Sequence, residues 1–153
     1  VYSIQVMYPH ISKSDTPAFV TISSSAALAP IAGTAPYTAA KSASKALTEC
    51  FAFEHPEIYV GCVCPGFTKT NLFARQKEDV SKNKLISAFM SKRDRMVKKI
   101  VHGIKRKKCR MIYGADARLM GFLFKFFPKS FPRFFRWIMK ISKQPMFEDV
   151  FIK

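Results

Sequence analysis

The apolar positions of the chain change period along its length, and the changes mark its elements. Val1, Ile4, Met7, Tyr8 and Ile11 fall at helical spacing, so residues 1–13 read as the end of an amphipathic helix, closed by a turn over residues 14–17. Residues 18–23 (AFVTIS) form a short, almost wholly apolar run rich in β-branched side chains, which is the pattern of a buried parallel strand. A loop of small residues follows over 24–34. Pro36 suits the first turn of a helix, where a missing N–H costs nothing, with Thr34 or Ala35 at the cap. That helix runs to about His55, before Pro56, and its many alanines and serines allow close packing. Residues 58–64 (IYVGCVC) are a second buried strand, stopped by Pro65-Gly66. Strand, helix, strand of this kind is a right-handed crossover unit, so the expected fold class is α/β with a parallel sheet and flanking helices.

Downstream the pattern is more mixed. Residues 71–75 read as loop or short helix and 80–90 as a helix, a segment whose mixture of polar and apolar residues suits a lid. Ser91 is placed to cap a helix through Lys107, with Met96, Ile100, Val101 and Ile104 as its apolar stripe. Residues 109–113 form a third strand ended by Gly114. A helix over 115–127 then starts through Asp116 and stops at Pro128.

Candidate chemistry sits around the first crossover. Ser24 follows the first strand, Tyr37 comes thirteen residues later near the start of the helix, and Lys41 lies four residues beyond Tyr37. Residues i and i+4 share a helix face, with Cβ atoms roughly 6 Å apart, so Tyr37 and Lys41 are neighbours. A free tyrosine, with a pKa of about 10, handles protons poorly near neutrality. An adjacent ammonium favours the phenolate, and a three-unit shift would take about 4 kcal/mol of differential stabilisation. Ligands of parallel sheets bind beyond the carboxyl ends of the strands, and Ser24 and Pro65-Gly66 both lie there.

Charge adds a second theme. The chain carries a net +16, and residues 92–143 hold 17 Lys or Arg against only Asp94 and Asp116, so nearly all of the imbalance lies in one window. A single-sign field of this size favours an anionic partner. Within it, Lys125, Lys129, Arg133, Arg136 and Lys140 make one helical stripe among eight aromatic residues, and Pro128 and Pro132 divide the segment into two short helices. Residues 118–143 therefore read as an amphipathic segment suited to an anionic membrane surface, with docking of the phenylalanines on the domain as the competing reading. Nucleic acid is disfavoured, because no recognised binding motif accompanies the charge. Cys50, Cys62, Cys64 and Cys109 suggest free thiols rather than a disulfide framework, and no Cys/His cluster suggests a metal. The three histidines are scattered and carry no assigned chemistry. The expected location is intracellular, either cytoplasmic or peripheral to a membrane facing the cytoplasm.

Serines at the end of a buried strand, Y-x-x-x-K on the next helix and CPGFTKT after the next strand together resemble the short-chain dehydrogenase/reductase family. The similarity covers residues 1–114, leaving 115–153 as a basic, aromatic helical tail. It implies a partial doubly wound, Rossmann-like parallel sheet, the C-terminal half of an NAD- or NADP-binding fold. It also implies the roles. Tyr37 would be the acid/base on the substrate oxygen. Lys41 would tune Tyr37 and hydrogen-bond the nicotinamide ribose. Ser24 would hold the substrate carbonyl or hydroxyl. Pro65 and Gly66 would lie against the nicotinamide, with the Thr68 backbone and Thr70 reaching its carboxamide or the phosphates. The family's glycine-rich phosphate loop is not found among the 153 residues, where the first glycine is Gly33. The expectation is therefore the C-terminal part of a longer oxidoreductase acting on a carbonyl or secondary alcohol of a lipophilic molecule, inactive as an isolated piece. The helix over residues 37–55 is a candidate homo-oligomer contact. The competing functional class is a non-catalytic membrane-surface or interaction protein that retains part of the fold.

Overall fold

The computed structural model describes residues 1–69 and 91–142. In chain order these form α1 (Tyr2–Ile11), β1 (Ala18–Ile22), a 3-10 turn (Ser25–Ala27), α2 (Ala35–Glu54), β2 (Tyr59–Pro65) and β3 (Thr68–Lys69). After the undescribed stretch come β4 (Ser91–Lys92), α3 (Arg93–Lys105), β5 (Arg110–Tyr113), α4 (Ala115–Phe126) and α5 (Phe131–Ser142). The expected loop over 71–75, the helix over 80–90, the lid they suggest and Thr70 lie outside the described residues.

The sheet is parallel with the order β1-β2-β5, and its register places Ile22 beside Val63 and Cys64 beside Ile112. Helices cover both faces. Alternation along β2 sends Val60, Cys62 and Cys64 toward α2, where Phe51, Ile58 and Val60 form a core joined by Ile4, Tyr8 and Phe19. The opposite face carries Val63 and Met111, both essentially inaccessible. Gly103 of α3 sits against this face so closely that a Cβ there would strike the Tyr113 hydroxyl and the Met111 sulfur. One ion-paired bracket ties α2 to the far strand: Arg110 donates to Glu49 Oε1 through Nε at 2.9 Å and Nη2 at 2.6 Å, and Lys45 meets Oε2 at 2.7 Å. Although burial opposes it, the hydrogen bonds and charge of Lys45 and Arg110 hold the Glu49 carboxyl below its ordinary value.

Several expectations need correction. Residues 18–23 read as a buried strand, but β1 is only partly covered, with Ala18 and Ile22 exposed. The reason is topological. β2 takes one side of β1, and among the described residues nothing pairs with the other side, so an apolar strand stands at an edge. Ser91 does not cap α3. It pairs in parallel with Thr68, leaving Lys92 as the cap. Val101 faces solvent, and Gly103 takes its place in the buried stripe with Met96. The tail does break into two helices, but at Phe127–Ser130. Pro132 falls within the first turn of α5, where proline is tolerated.

The cysteine reading holds: all four are free. Cys62 and Cys64 share one strand face, and the hydrogen bond between their sulfurs, with burial, pushes the Cys62 thiol well above its ordinary value. Among the described residues there is no cluster able to hold a metal ion.

Candidate active site

β1 ends where Ser23 donates its N–H to the Val63 carbonyl at 2.7 Å, extending the sheet one residue beyond the regular strand. Ser24 then turns the chain. Its Oγ accepts the Ala26 N–H at 3.2 Å and caps the 3-10 turn, in an environment with little solvent access. That bond uses an acceptor site of the hydroxyl and does not consume its O–H donor.

α2 is pinned to this strand end twice. Ser23 Oγ donates to the Lys41 carbonyl at 2.9 Å, and Lys41 Nζ donates to the Ile22 carbonyl at 3.0 Å. One turn earlier stands Tyr37, with the Lys41 ammonium 5.9 Å from the centre of its ring. The two side chains are thus neighbours, as their spacing requires, with the charge over the ring face. Tyr37 is 49% exposed. Ser24, Tyr37 and Lys41 therefore share the carboxyl end of β1, and Pro65-Gly66 lies at the same end of the adjacent β2.

The segment after β2 is held by its own network. Gly66 N–H donates to the Tyr113 carbonyl at 2.7 Å, and Thr68 Oγ1 donates to the Gly66 carbonyl at 3.0 Å. Phe67 N–H donates to Asp116 Oδ2 at 2.5 Å. Among the described residues, the other oxygen of Asp116, Oδ1, is buried without a hydrogen-bond partner. Two glycines make room for this carboxylate: a Cβ on either Gly66 or Gly114 would collide with it. Gly114, at φ 115°, also needs a backbone conformation that L side chains rarely adopt. Asp116 was legible only as a helix-starting acid. Its service to a loop 49 residues earlier has no sequence signal, apart from two glycines that look like ordinary strand ends. Ser23, adjacent to the serine singled out from sequence, was missed in the same way.

Burial pushes the Asp116 carboxyl above its ordinary value, partly countered by the backbone N–H groups of Phe67, Ala117 and Asp116 itself. A raised folded value means that the folded state binds the proton more tightly than the unfolded chain. The stability this contributes is present below the ordinary carboxylate range and is lost as pH rises through the folded value. Asp116→Asn keeps an acceptor for Phe67 and removes the titration. In urea unfolding followed from pH 3.5 to 7, the variant gains on the wild type as pH rises. Asp116→Ala instead leaves the Phe67 N–H unpaired and costs about 1–3 kcal/mol.

The loop after Ser24 is apolar. Ala26, Ala29 and Ile31 form a second core with Met120 of α4 and Phe131 of α5, joined by Phe67, Leu123, Phe124 and Phe135. Part of the tail is thus docked beside the candidate site.

Comparison with known proteins converges on one group. The family model described as short chain dehydrogenase matches residues 1–81, a stretch holding Ser24, Tyr37, Lys41, Pro65, Gly66, Thr68 and Thr70. A short-chain dehydrogenase from Sphingobium yanoikuyae, solved in complex with NADPH, is 29% identical with a TM-score of 0.58, over 68% of this chain and 40% of that one. A bulky-bulky ketone specific alcohol dehydrogenase from Comamonas testosteroni is 22% identical with a TM-score of 0.55, over 71% of this chain and 39% of that one. A short-chain dehydrogenase from Streptomyces avermitilis is 20% identical with a TM-score of 0.65, over 92% of this chain and 57% of that one. The last two share the fold. The chain thus spans 40%, 39% and 57% of the lengths of these three structures. No curated protein matches it.

Proposed function

Because the chain belongs to the short-chain dehydrogenase family, we propose that it is the C-terminal half of an NAD(P)-dependent oxidoreductase that interconverts a carbonyl and a secondary alcohol. The observation that carries this reading is the gathering of Ser24, Tyr37 and Lys41 at the carboxyl end of β1, with Pro65-Gly66 beside them. The residues present fit the nicotinamide end of a dinucleotide. The Pro65–Thr68 backbone lies at the carboxyl end of β2, on a segment fixed by Tyr113 and Asp116. They offer no glycine-rich cradle for the pyrophosphate, so the 153 residues alone are expected to bind the dinucleotide weakly.

Lys41 and the Pro65–Thr68 segment would hold the nicotinamide ribose and ring, with Thr70 reaching toward the carboxamide or phosphates. When bound, the nicotinamide supplies or accepts a hydride. Ser24 donates its O–H to the substrate oxygen and fixes its position. Tyr37 gives that oxygen a proton in reduction and takes it back in oxidation. Lys41, anchored on the Ile22 carbonyl, places positive charge beside the phenol and keeps α2 in register with β1. The aromatic tail docked on the Ala26–Ile31 loop is what favours a lipophilic substrate.

The reading is tested by following NADH and NADPH consumption by the full-length enzyme with a panel of hydrophobic ketones. At least one nucleotide is expected to support turnover of at least one ketone. Complete lack of nucleotide-linked turnover across the panel would leave the non-catalytic alternative standing.

A further inference from the structure

The two helices of the tail divide their surfaces in an unusual way. On α5 the inward side is a stripe at every fourth residue, Phe131, Phe135 and Met139, of which Phe131 and Phe135 pack on the loop after Ser24. The rest of the helix does not turn polar. Phe134, Trp137, Ile138 and Ile141 form an adjoining stripe that faces solvent, with Trp137 59% and Ile141 60% exposed. Arg133, Arg136 and Lys140 occupy the remaining sector. Helix α4 repeats the arrangement, with Leu119, Phe122 and Phe126 exposed at spacings of three and four. Between residues 117 and 142 there are six Lys or Arg and no Asp or Glu. Among the described residues no helix is long and apolar enough to cross a membrane. At 12 residues each, α4 and α5 are about 18 Å long, shorter than the roughly 30 Å of a hydrocarbon core.

We propose that the exposed faces of α4 and α5 form an interfacial foot that seats the protein on an anionic phospholipid surface. Charge complementarity selects this occupant. A second copy of the same face would set Lys125, Lys129, Arg133 and Lys140 against like charges. Nucleic acid would neutralise the cations but leave Ile138 and Ile141 in water. A bilayer with anionic headgroups takes both components, because the apolar stripe enters the acyl boundary while the flanking basic stems reach the phosphates. The foot's inner side packs on Ala26, Ala29 and Ile31, in the loop that follows Ser24. The binding itself does not depend on the hydride-transfer reading and is measured without turnover.

Trp137 is the one tryptophan of the chain, so its fluorescence reports on the foot alone. The chain is titrated with phosphatidylcholine vesicles with and without 30 mol% phosphatidylserine. The expected result is a blue shift with the anionic vesicles, quenching by brominated lipid, and partitioning that falls as salt rises. Replacing Lys125, Lys129 and Arg133 by Gln, all at exposed positions, should weaken partitioning about fivefold for each charge removed. Phe134→Ser with Ile141→Ser should abolish brominated-lipid quenching while circular dichroism stays unchanged, which separates loss of insertion from loss of folding. The proposal is overturned by an unshifted spectrum with anionic vesicles, by partitioning indifferent to phosphatidylserine, or by an oligonucleotide that displaces the vesicles at substoichiometric amounts.

Discussion

Tyr37→Phe in the full-length enzyme is expected to lower kcat by about 10²–10⁴-fold, the range over which a positioned proton donor accelerates a reaction. The substitution removes one oxygen from a half-exposed ring. Among the described residues no hydrogen bond of the fold uses that hydroxyl, so stability should change by no more than about 0.5 kcal/mol. The loss should fall on kcat rather than on the KM for nucleotide. This clean separation is special to Tyr37. Lys41 also anchors α2 to the Ile22 carbonyl, and Ser24 also caps the turn that follows it, so variants at either position mix chemistry with folding. Urea unfolding and steady-state kinetics on the same preparations distinguish the two kinds of effect. A Tyr37→Phe enzyme that keeps wild-type kcat would remove Tyr37 from the mechanism.

Gly66→Val has the largest expected structural effect. A Cβ at this position meets both Asp116 oxygens, and the carboxylate has nowhere to retreat: Phe67 holds Oδ2, and Gly114 stands against Oδ1. Overpacking a site of this kind costs about 1–3 kcal/mol, and release of the partly buried Phe67 N–H costs about 1–3 kcal/mol more. The expected total of roughly 2–6 kcal/mol is read as a shift in the urea midpoint. Because the displaced loop is the one assigned to the nicotinamide, the KM for nucleotide should rise in any Gly66 variant stable enough to assay. The contact also predicts non-additivity, since shrinking the partner relieves the clash. Gly66→Ala combined with Asp116→Ser should be less damaging than the sum of the two single changes. Additivity within about 0.5 kcal/mol would show that the two residues do not press on each other.

The sequence made the crossover unit legible because its signals are local. A β-branched run, a proline at a helix start, a second apolar run and a Pro-Gly stop can each be read within a few residues, and together they define the ends of β1, α2 and β2 to within about a residue. Tyr37 and Lys41 were placed together by helix geometry alone. What escaped depends on contacts distant in the chain. The exposure of β1 reflects which side of the strand finds a partner, and its apolar composition is the same in either case. Asp116 serves Phe67 across 49 residues, and Ser91 pairs with Thr68 instead of capping α3. The tail combines both cases. Its basic and aromatic periodicity was plain, yet which aromatics dock and which face solvent is decided by the Ala26–Ile31 loop.

The central claim is that this chain supplies the proton-handling half of a hydride transfer, and isotope labelling tests it most directly. The full-length enzyme is given NADH or NADPH deuterated at C4 of the nicotinamide together with a hydrophobic ketone, and the alcohol is analysed by mass spectrometry and NMR. The account predicts one deuterium on the carbinol carbon, delivered with a single facial preference, and its loss with Tyr37→Phe. Unlabelled alcohol, or labelled alcohol formed equally well by the Tyr37→Phe enzyme, would contradict it.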